Sequence, residues 1–342
     1  MSAPALSIVV PCYNEAGCLP ELHRRIAAAA LQAVGEAYEI ILVDDGSRDA
    51  TWPIMQQLAA TDPRLMAVHL SRNHGHQLAL TAGLDLSSGA RILIIDADLQ
   101  DPPEVLVDMM ALMDSATADV VYAVRRQRAG DTAFKRATAA LFYRVLSRIT
   151  DTEIPVDTGD FRLMSRRALD TLLRLPEQAR FIRGMVAWIG FRQIPFAYDR
   201  AVRHAGETKY PLRKMVRFAL DAVTGFSVAP LRFASYVGLT LAVGSLAIIA
   251  YILWGHLNGY NTPGWTSLML VVVVLGAVQM FVLGMLGEYL GRLYMEAKRR
   301  PLYIVADIAG RMPGGEPALG YRAGVSTATS ETPAGIDSRP IQ

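Results

Sequence analysis

Cysteine is almost missing: Cys12 and Cys18 are the only two in 342 residues. That is too few for a disulfide scaffold, and their spacing is not the C-x2-C of a metal site. They read as reduced thiols in a reducing compartment. Charge is sparse as well. Asp, Glu, Lys and Arg make up 19% of the chain against 52% apolar residues, which excludes an intrinsically disordered protein. Lys+Arg 34 against Asp+Glu 32 leaves a formal net charge of +2, so no nucleic-acid partner is expected. The opening stretch MSAPALSIVVPCYNE has no basic n-region, so a secretory signal is not expected and the apolar run reads as a first strand. There is no internal repeat, no G-x-G-x-x-G and no P-loop lysine motif.

The largest absence is local. From Phe233 to Gly287 there is no Asp, Glu, Lys or Arg. A bilayer core about 30 Å thick needs roughly 20 helical residues, so this stretch holds two spans. They are placed at 233–256 and 266–288, broken by the turn-rich segment His256–Gly264. Trp254, Tyr260 and Trp265 gather at that turn, as interfacial aromatics do. Two buried core helices are the soluble alternative, and the length of the uncharged stretch argues against them. Arg213, Lys214, Arg217 and Arg232 precede the spans, and Arg292, Lys298, Arg299 and Arg300 follow them. The connecting loop has neither Lys nor Arg, so both termini and the large N-terminal part are expected in the cytoplasm, on a multi-pass inner-membrane protein. Pro211–Arg232 mixes basic and apolar residues like an amphipathic helix in the headgroup region, with a soluble surface helix as the alternative.

The expected organisation is a catalytic α/β domain over 1–210, an amphipathic region over 211–232 and a two-helix hairpin over 233–290. A cytosolic segment over 291–312 and a disordered Gly/Pro/Ser/Thr-rich tail over 313–342 complete it. Within the domain, Leu6–Pro11, Tyr38–Val43, Leu65–Leu70, Arg91–Ile95 and Asp119–Val124 read as strands. Leu19–Val34, Thr51–Ala60, Gln77–Leu86 and Pro103–Met113 read as the helices between them. Continuous Val/Ile runs separated by helices indicate a mostly parallel sheet covered on both faces. Such sheets bind ligands beyond the carboxyl ends of their strands. Three polar motifs fall there: Pro11-Cys-Tyr-Asn-Glu15, Asp44-Asp-Gly-Ser47 and Asp96-Ala-Asp-Leu-Gln100.

In an extended segment, side chains two apart point the same way, so Asp96 and Asp98 share a side and Gln100 can join them. Paired hard oxygen ligands suit Mg²⁺ or Mn²⁺, with water and phosphate completing the shell. Asp101-Pro-Pro-Glu104 then reads as a helix start, with Asp101 at the N-cap, Pro102 at N1 and Glu104 reaching back.

The three motifs together resemble the family 2 glycosyltransferases, whose GT-A fold is a Rossmann-like α/β sheet domain. More narrowly they resemble the polyprenyl-phosphate hexosyltransferases, dolichol-phosphate mannose synthase and the bactoprenol glucosyltransferases. Asp157-Thr-Gly-Asp-Phe-Arg-Leu-Met164, Phe181-Ile-Arg-Gly-Met185, the paired spans and Arg300-Pro-Leu-Tyr303 are most similar to the bactoprenol branch. The resemblance spans residues 5–305 and implies a metal-dependent, inverting transfer of a hexose to a polyprenyl phosphate such as undecaprenyl phosphate. Glucose from UDP-glucose is the leading donor; mannose, galactose and 4-amino-arabinose are alternatives, and a lipid transporter or a scaffold are the competing classes.

It also implies roles. Pro11, Tyr13, Glu15 and Asp45 would line the nucleotide pocket, with Asp44 holding its loop. Asp96 would contact the sugar nucleotide or the metal, and Asp98 and Gln100 the metal. Arg203 and Lys209 would close over the diphosphate. Arg125, Arg128 and Arg136 would grip the lipid phosphate with their forked guanidinium groups, a solvated basic face being the alternative. Asp157 and Asp160 would orient the acceptor or act as a weak base, with Asp157 preferred; either could instead be a buried partner of Arg162. The resemblance further implies a homotetramer.

Overall fold

The structure, a computed structural model, describes residues 3–125, 158–199, 229–258 and 264–310. Strand and helix alternate from the start: β1 (Leu6–Cys12), α1 (Leu19–Val34), β2 (Tyr38–Asp44), α2 (Thr51–Thr61), β3 (Leu65–Leu70), α3 (His76–Leu86) and β4 (Arg91–Ile94). A 3-10 turn at Pro103–Val105 leads into α4 (Leu106–Ser115), and β5 (Val120–Arg125) follows. All five expected strands and all four expected helices are present.

The strands are near-continuous apolar runs because both faces of the sheet are covered. Leu6, Ile8 and Val10 of β1, with Ile40 and Leu42 of β2, pack into one core with Leu22 and Ile26 of α1, Met55 of α2 and Met109 of α4. The alternate residues Val9, Ile41 and Val43 pack on the other side with Ala79, Leu80 and Leu84 of α3. Each fully buried Leu or Ile is worth about 1.5–3 kcal/mol, so this period-2 division fixes which face each helix takes. The fit of α3 is tight: a Cβ on Gly83 would sit 2.4 Å from Cγ1 of Val9.

The sheet is more mixed than the sequence suggests. Its order is β7-β5-β6-β4-β1-β2-β3-β8, with β6 at Thr158–Ser165, β7 at Gln193–Tyr198 and β8 at Val305–Gly310. β1 pairs in parallel with β2 and β4, β2 with β3, and β5 with β7. β6, however, enters antiparallel between β4 and β5, and β8 runs antiparallel along β3. Two further helices, α5 (Arg166–Leu173) and α6 (Ile182–Trp188), cover the α3 side of the sheet.

Beyond the sheet lie two long helices, α7 (Ala229–Leu257) and α8 (Trp265–Lys298), which contact each other. Among the described residues, one stretch is long and apolar enough to cross a membrane by length and composition: Val274–Lys298, none of it buried. α8 stops where Arg299 adopts a left-handed conformation with φ 46°. The chain then returns to the sheet. Leu70 pairs with Val305, so β8 begins at the edge where β1, β2 and β3 end.

Candidate active site

The sheet order reverses direction at β1: β2 and β3 lie to one side and β4 to the other. The loops after β1 and β4 therefore diverge and leave a crevice at the carboxyl edge. The first two polar motifs are laced together across this edge. Asn14 donates its backbone N–H to Oγ of Ser47 at 2.9 Å, and its side-chain oxygen accepts the Arg48 N–H at 2.9 Å. Asn14 achieves this in a left-handed conformation, φ 56°, which Asn tolerates better than most residues. Glu15 donates its N–H to Oγ1 of Thr51 at 2.9 Å. Tyr13, beside this lacing, is 42% exposed.

The two carboxylates of the second motif do different work. Asp44 is fully buried; it accepts the Ser47 N–H at 3.1 Å and lies 2.6 Å from Nδ1 of His69. It holds its own loop, as expected. Asp45 accepts the backbone N–H groups of His74 at 2.6 Å and Gly75 at 2.9 Å. Burial pushes its carboxyl up, and those two donors offset only part of the effect. Asp45 thus ties the loop before α3 to the pocket wall.

The third motif leaves the strand earlier than its sequence implies. β4 stops at Ile94, and Leu99 takes φ 59° in a turn, so the D-x-D segment is not extended. The alternation of sides nevertheless survives. Ala97 and Leu99 are buried in the core, whereas Asp96, Asp98 and Gln100 are part-exposed. The turn is closed by the Gln100 N–H donating to Oδ1 of Asp98 at 3.2 Å.

The helix starts where expected, through the 3-10 turn at Pro103–Val105, but with Pro102 rather than Asp101 at the N-cap position. Asp101 is buried and accepts the hydroxyl of Tyr198, which burial and the adjacent carboxylate hold well above its ordinary pKa. Glu104 does not reach back but pairs with Arg25 of α1 through two 2.7 Å bonds. The Asp-Pro-Pro-Glu pattern matches a capping signature, yet a buried tyrosine and a facing arginine offer its carboxylates stronger partners.

The antiparallel entry of β6 completes the site. Ile94 pairs with Arg162 in the last pair of the ladder, and beyond it Asp160 and Asp96 both lie within 4 Å of Nε2 of His76. Asp160 accepts from Nε2 of Gln77 at 2.9 Å and lies 3.2 Å from Nε2 of His76. Its other oxygen faces Arg183 at 3.4 Å and Arg162 at 3.7 Å. Burial raises the Asp160 carboxyl, but His76, Arg183 and Arg162 outweigh it and hold it well below the usual carboxylate range. Asp160 is thus a buried ion-pair partner of Arg162, the alternative that its sequence left open. Burial lowers the Arg162 pKa to about 10.

Asp96 is the opposite case. Burial raises its pKa to about 6, with His76 opposing and Asp160, Asp101 and Asp98 adding. Its Oδ1 is buried and has no hydrogen-bond partner among the described residues. An ionisable oxygen left unsatisfied in a cleft, with Asp98 and Gln100 beside it, fits a divalent cation. Among the described residues no group of three or more His, Cys, Asp or Glu is gathered around one point.

His76 is the site residue the sequence reading missed. Its signal was available: Asn73-His-Gly-His76 is a polar cluster at the carboxyl end of the third expected strand. Arg125 ends β5 with a hydrogen bond to Tyr198, and its Nε is buried and unpartnered among the described residues. Asp157, Arg128, Arg136, Arg203 and Lys209 lie outside the described residues, as do 211–228 and the tail from 311.

Comparison with known proteins agrees with this geometry. Residues 7–173 match glycosyl transferase family 2, and residues 229–293 match the GtrB C-terminal hairpin. The chain is 46% identical over 305 residues to an uncharacterized glycosyltransferase, YkcC, of Bacillus subtilis (strain 168), covering 89% of this chain and 94% of that one. It is 39% identical over 307 residues to a prophage bactoprenol glucosyl transferase homolog of Escherichia coli (strain K12), covering 89% and 99%. A bactoprenol glucosyl transferase of Shigella phage SfV is 39% identical over 303 residues, covering 88% and 98%.

Proposed function

The chain belongs to glycosyl transferase family 2, and from that membership we propose that it transfers glucose from UDP-glucose to a polyprenyl phosphate, with inversion, at the cytoplasmic face of a membrane. The observation that carries the reading is the return of β8. The carboxyl edge of the sheet bears the acidic rim, and β8 starts at that edge only seven residues after α8 ends at Lys298. At about 3.3–3.6 Å per extended residue, the helix end is within roughly 25 Å of the start of β8, at the sheet edge that carries the rim. A lipid headgroup at the membrane surface is then in range of the donor pocket. The likeness to bactoprenol glucosyl transferases across domain and hairpin supports the same acceptor and two spans, α7 and α8.

The roles follow from the residues. Tyr13 offers an exposed ring for the base, beside Pro11 and Glu15, and Asp45 fixes the adjoining loop. Asp96, Asp98 and Gln100 would hold Mg²⁺ or Mn²⁺, which when bound would supply Lewis-acid neutralisation of charge on the departing nucleoside diphosphate. A phosphate monoester is largely anionic near neutral pH, so the acceptor attacks the anomeric carbon without a strong base. What the protein supplies is positioning. Arg125, Arg128 and Arg136 grip the lipid phosphate, Arg203 and Lys209 close over the diphosphate, and Asp157 orients the acceptor. Asp160, held ionised by its cations, is an anchor rather than a proton acceptor.

The test is a transfer assay with purified protein, Mg²⁺, undecaprenyl phosphate and a panel of radiolabelled nucleotide sugars. Labelled lipid from UDP-glucose is the expected result. Label from a different donor reassigns the sugar within the same reaction, and no labelled lipid from any donor overturns the reading. Lipid movement in proteoliposomes without nucleotide sugar would put a transporter in its place.

A further inference from the structure

We propose that His76 is the positioning residue of Asp96, carrying the anchorage of Asp160 across the crevice to the donor-site carboxylate; the inference rests on the reading of Asp96 as a ligand of the divalent ion. The imidazole Nε2 lies 3.2 Å from Oδ2 of Asp160 and 3.7 Å from Oδ1 of Asp96. It is the only basic group among the described residues within 4 Å of Asp96. The two carboxylates lie beyond the last β4–β6 pair, one on either side of the same imidazole nitrogen, and repel, so a donor between them lowers the energy of holding both ionised.

Asp160 itself does not move. Gln77, Arg162 and Arg183 all engage its carboxylate, and Oε1 of Gln77 also accepts the Ile182 N–H at 2.9 Å, locking α3 to α6. His76 is the first residue of α3, and the loop before it is fixed by the two bonds to Asp45. The imidazole is thus held from behind by its backbone and from one side by Asp160. The remaining side faces an oxygen that no described residue satisfies. An outer-shell partner so placed sets the direction of a metal ligand without touching the metal.

The geometry makes a specific demand on chemistry. Nε2 makes both contacts, and the side-chain nitrogen of Gln reaches the Nε2 position, whereas that of Asn stops near Nδ1. The experiment measures Mn²⁺ binding to the full-length purified protein from the EPR signal of free Mn²⁺, with and without UDP. Thermal unfolding in EDTA is followed in parallel. His76→Ala and His76→Asn are expected to weaken Mn²⁺ binding by roughly 10- to 100-fold, with His76→Gln within about threefold of the unaltered protein. A merely structural residue would lower the EDTA melting temperature without this Gln-over-Asn order. His76→Ala binding Mn²⁺ as the unaltered protein does, or Asn restoring binding as well as Gln, overturns the proposal. Should the alanine variant not fold, the Gln and Asn pair decides alone. If the unaltered protein itself binds no Mn²⁺, the reading of Asp96 as a ligand fails first and takes the proposal with it.

Discussion

Ser71 donates its backbone N–H to the carbonyl of Ile304 at 2.9 Å, joining the end of β3 to the chain that leaves α8. The contact is one of several along the same short segment. Tyr303 donates its hydroxyl to Oδ2 of Asp85 at 2.7 Å, His74 hydrogen-bonds the backbone of Leu302, and the Gln178 N–H donates to Oε1 of Glu296 at 2.8 Å. The loop that Asp45 holds against the pocket is therefore clasped from its other side by residues 302–304. Any disturbance at the end of the apolar helix reaches the donor pocket through one loop.

Tyr303→Phe removes one hand of this clasp. The bond to Asp85 is solvent-exposed, so losing the donor should lower stability by at most about 1 kcal/mol. The loss should be local. Amide exchange is expected to quicken in the last turn of α3 and around Ser71 while β1 and β4 keep their protection. Unchanged exchange there would show that the clasp carries no load.

Gly46→Ala tests the other side of the same loop. Gly46 has φ +67°, and a Cβ there would lie 2.5 Å from the backbone carbon of Arg72 and 2.6 Å from the nitrogen of Asn73. Backbone atoms cannot swing aside as a side chain can. Left-handed strain of about 1–2 kcal/mol plus an overpacking penalty of similar size should destabilise the fold by roughly 2–4 kcal/mol. Denaturant unfolding reads the stability and UDP titration the pocket; a variant as stable as the parent would mean the 72–75 loop sits elsewhere in solution.

Much of this was legible in the sequence, and the reason is periodicity. β1 to β4 are short apolar runs separated by helical patterns, and both signals are local. β6 was hidden because TGDFRLMS carries Asp160 and Arg162 at its centre, one read as a catalytic candidate and the other as its possible ion-pair partner, rather than as a buried strand. Only the fold supplies the partners that make them burial-competent. β8 was hidden because its pairing with β3 bridges the whole hairpin, a contact no window can see. For the site, the acidic pairs were legible as residue types. Which carboxylate stays free and which is committed was not, since that depends on His76 and Gln77 of α3, Tyr198 of β7 and Arg183 of α6 arriving from three other elements.

Asp98→Ala should separate chemistry from folding. Asp98 is part-exposed and accepts the Gln100 N–H at 3.2 Å in the turn, so losing that bond should cost the fold about 0.5–1.5 kcal/mol. A metal ligand contributes several kcal/mol to charge stabilisation, and transfer should fall by at least about 10²–10³-fold. Retained Mg²⁺-dependent turnover would refute the metal assignment.

Asp96→Asn should make the metal-free protein more stable at neutral pH. The folded carboxyl has its pKa raised to about 6, above the roughly 3.9 of an unfolded chain. At pH 7 both states are ionised, and the folded state alone bears the penalty of a buried, unsatisfied charge. As pH falls from about 6 toward 4 the folded state takes up the proton first, so this residue's contribution turns less unfavourable as the solution becomes more acid. The full gap corresponds to roughly 2–3 kcal/mol; solvent screening of the part-exposed side chain brings it to the order of 1–2 kcal/mol. In EDTA, the Asn variant should therefore melt several degrees above the parent at pH 7, with the difference shrinking toward zero near pH 4. Groups remote from Asp96 shift both proteins alike and cancel in the difference, leaving Asp96 with its neighbours His76 and Asp160. An Asn variant that melts lower at pH 7, or a gap that widens on acidification, would mean that Asp96 already has a partner in the folded protein, and that the unsatisfied oxygen does not exist to receive an ion.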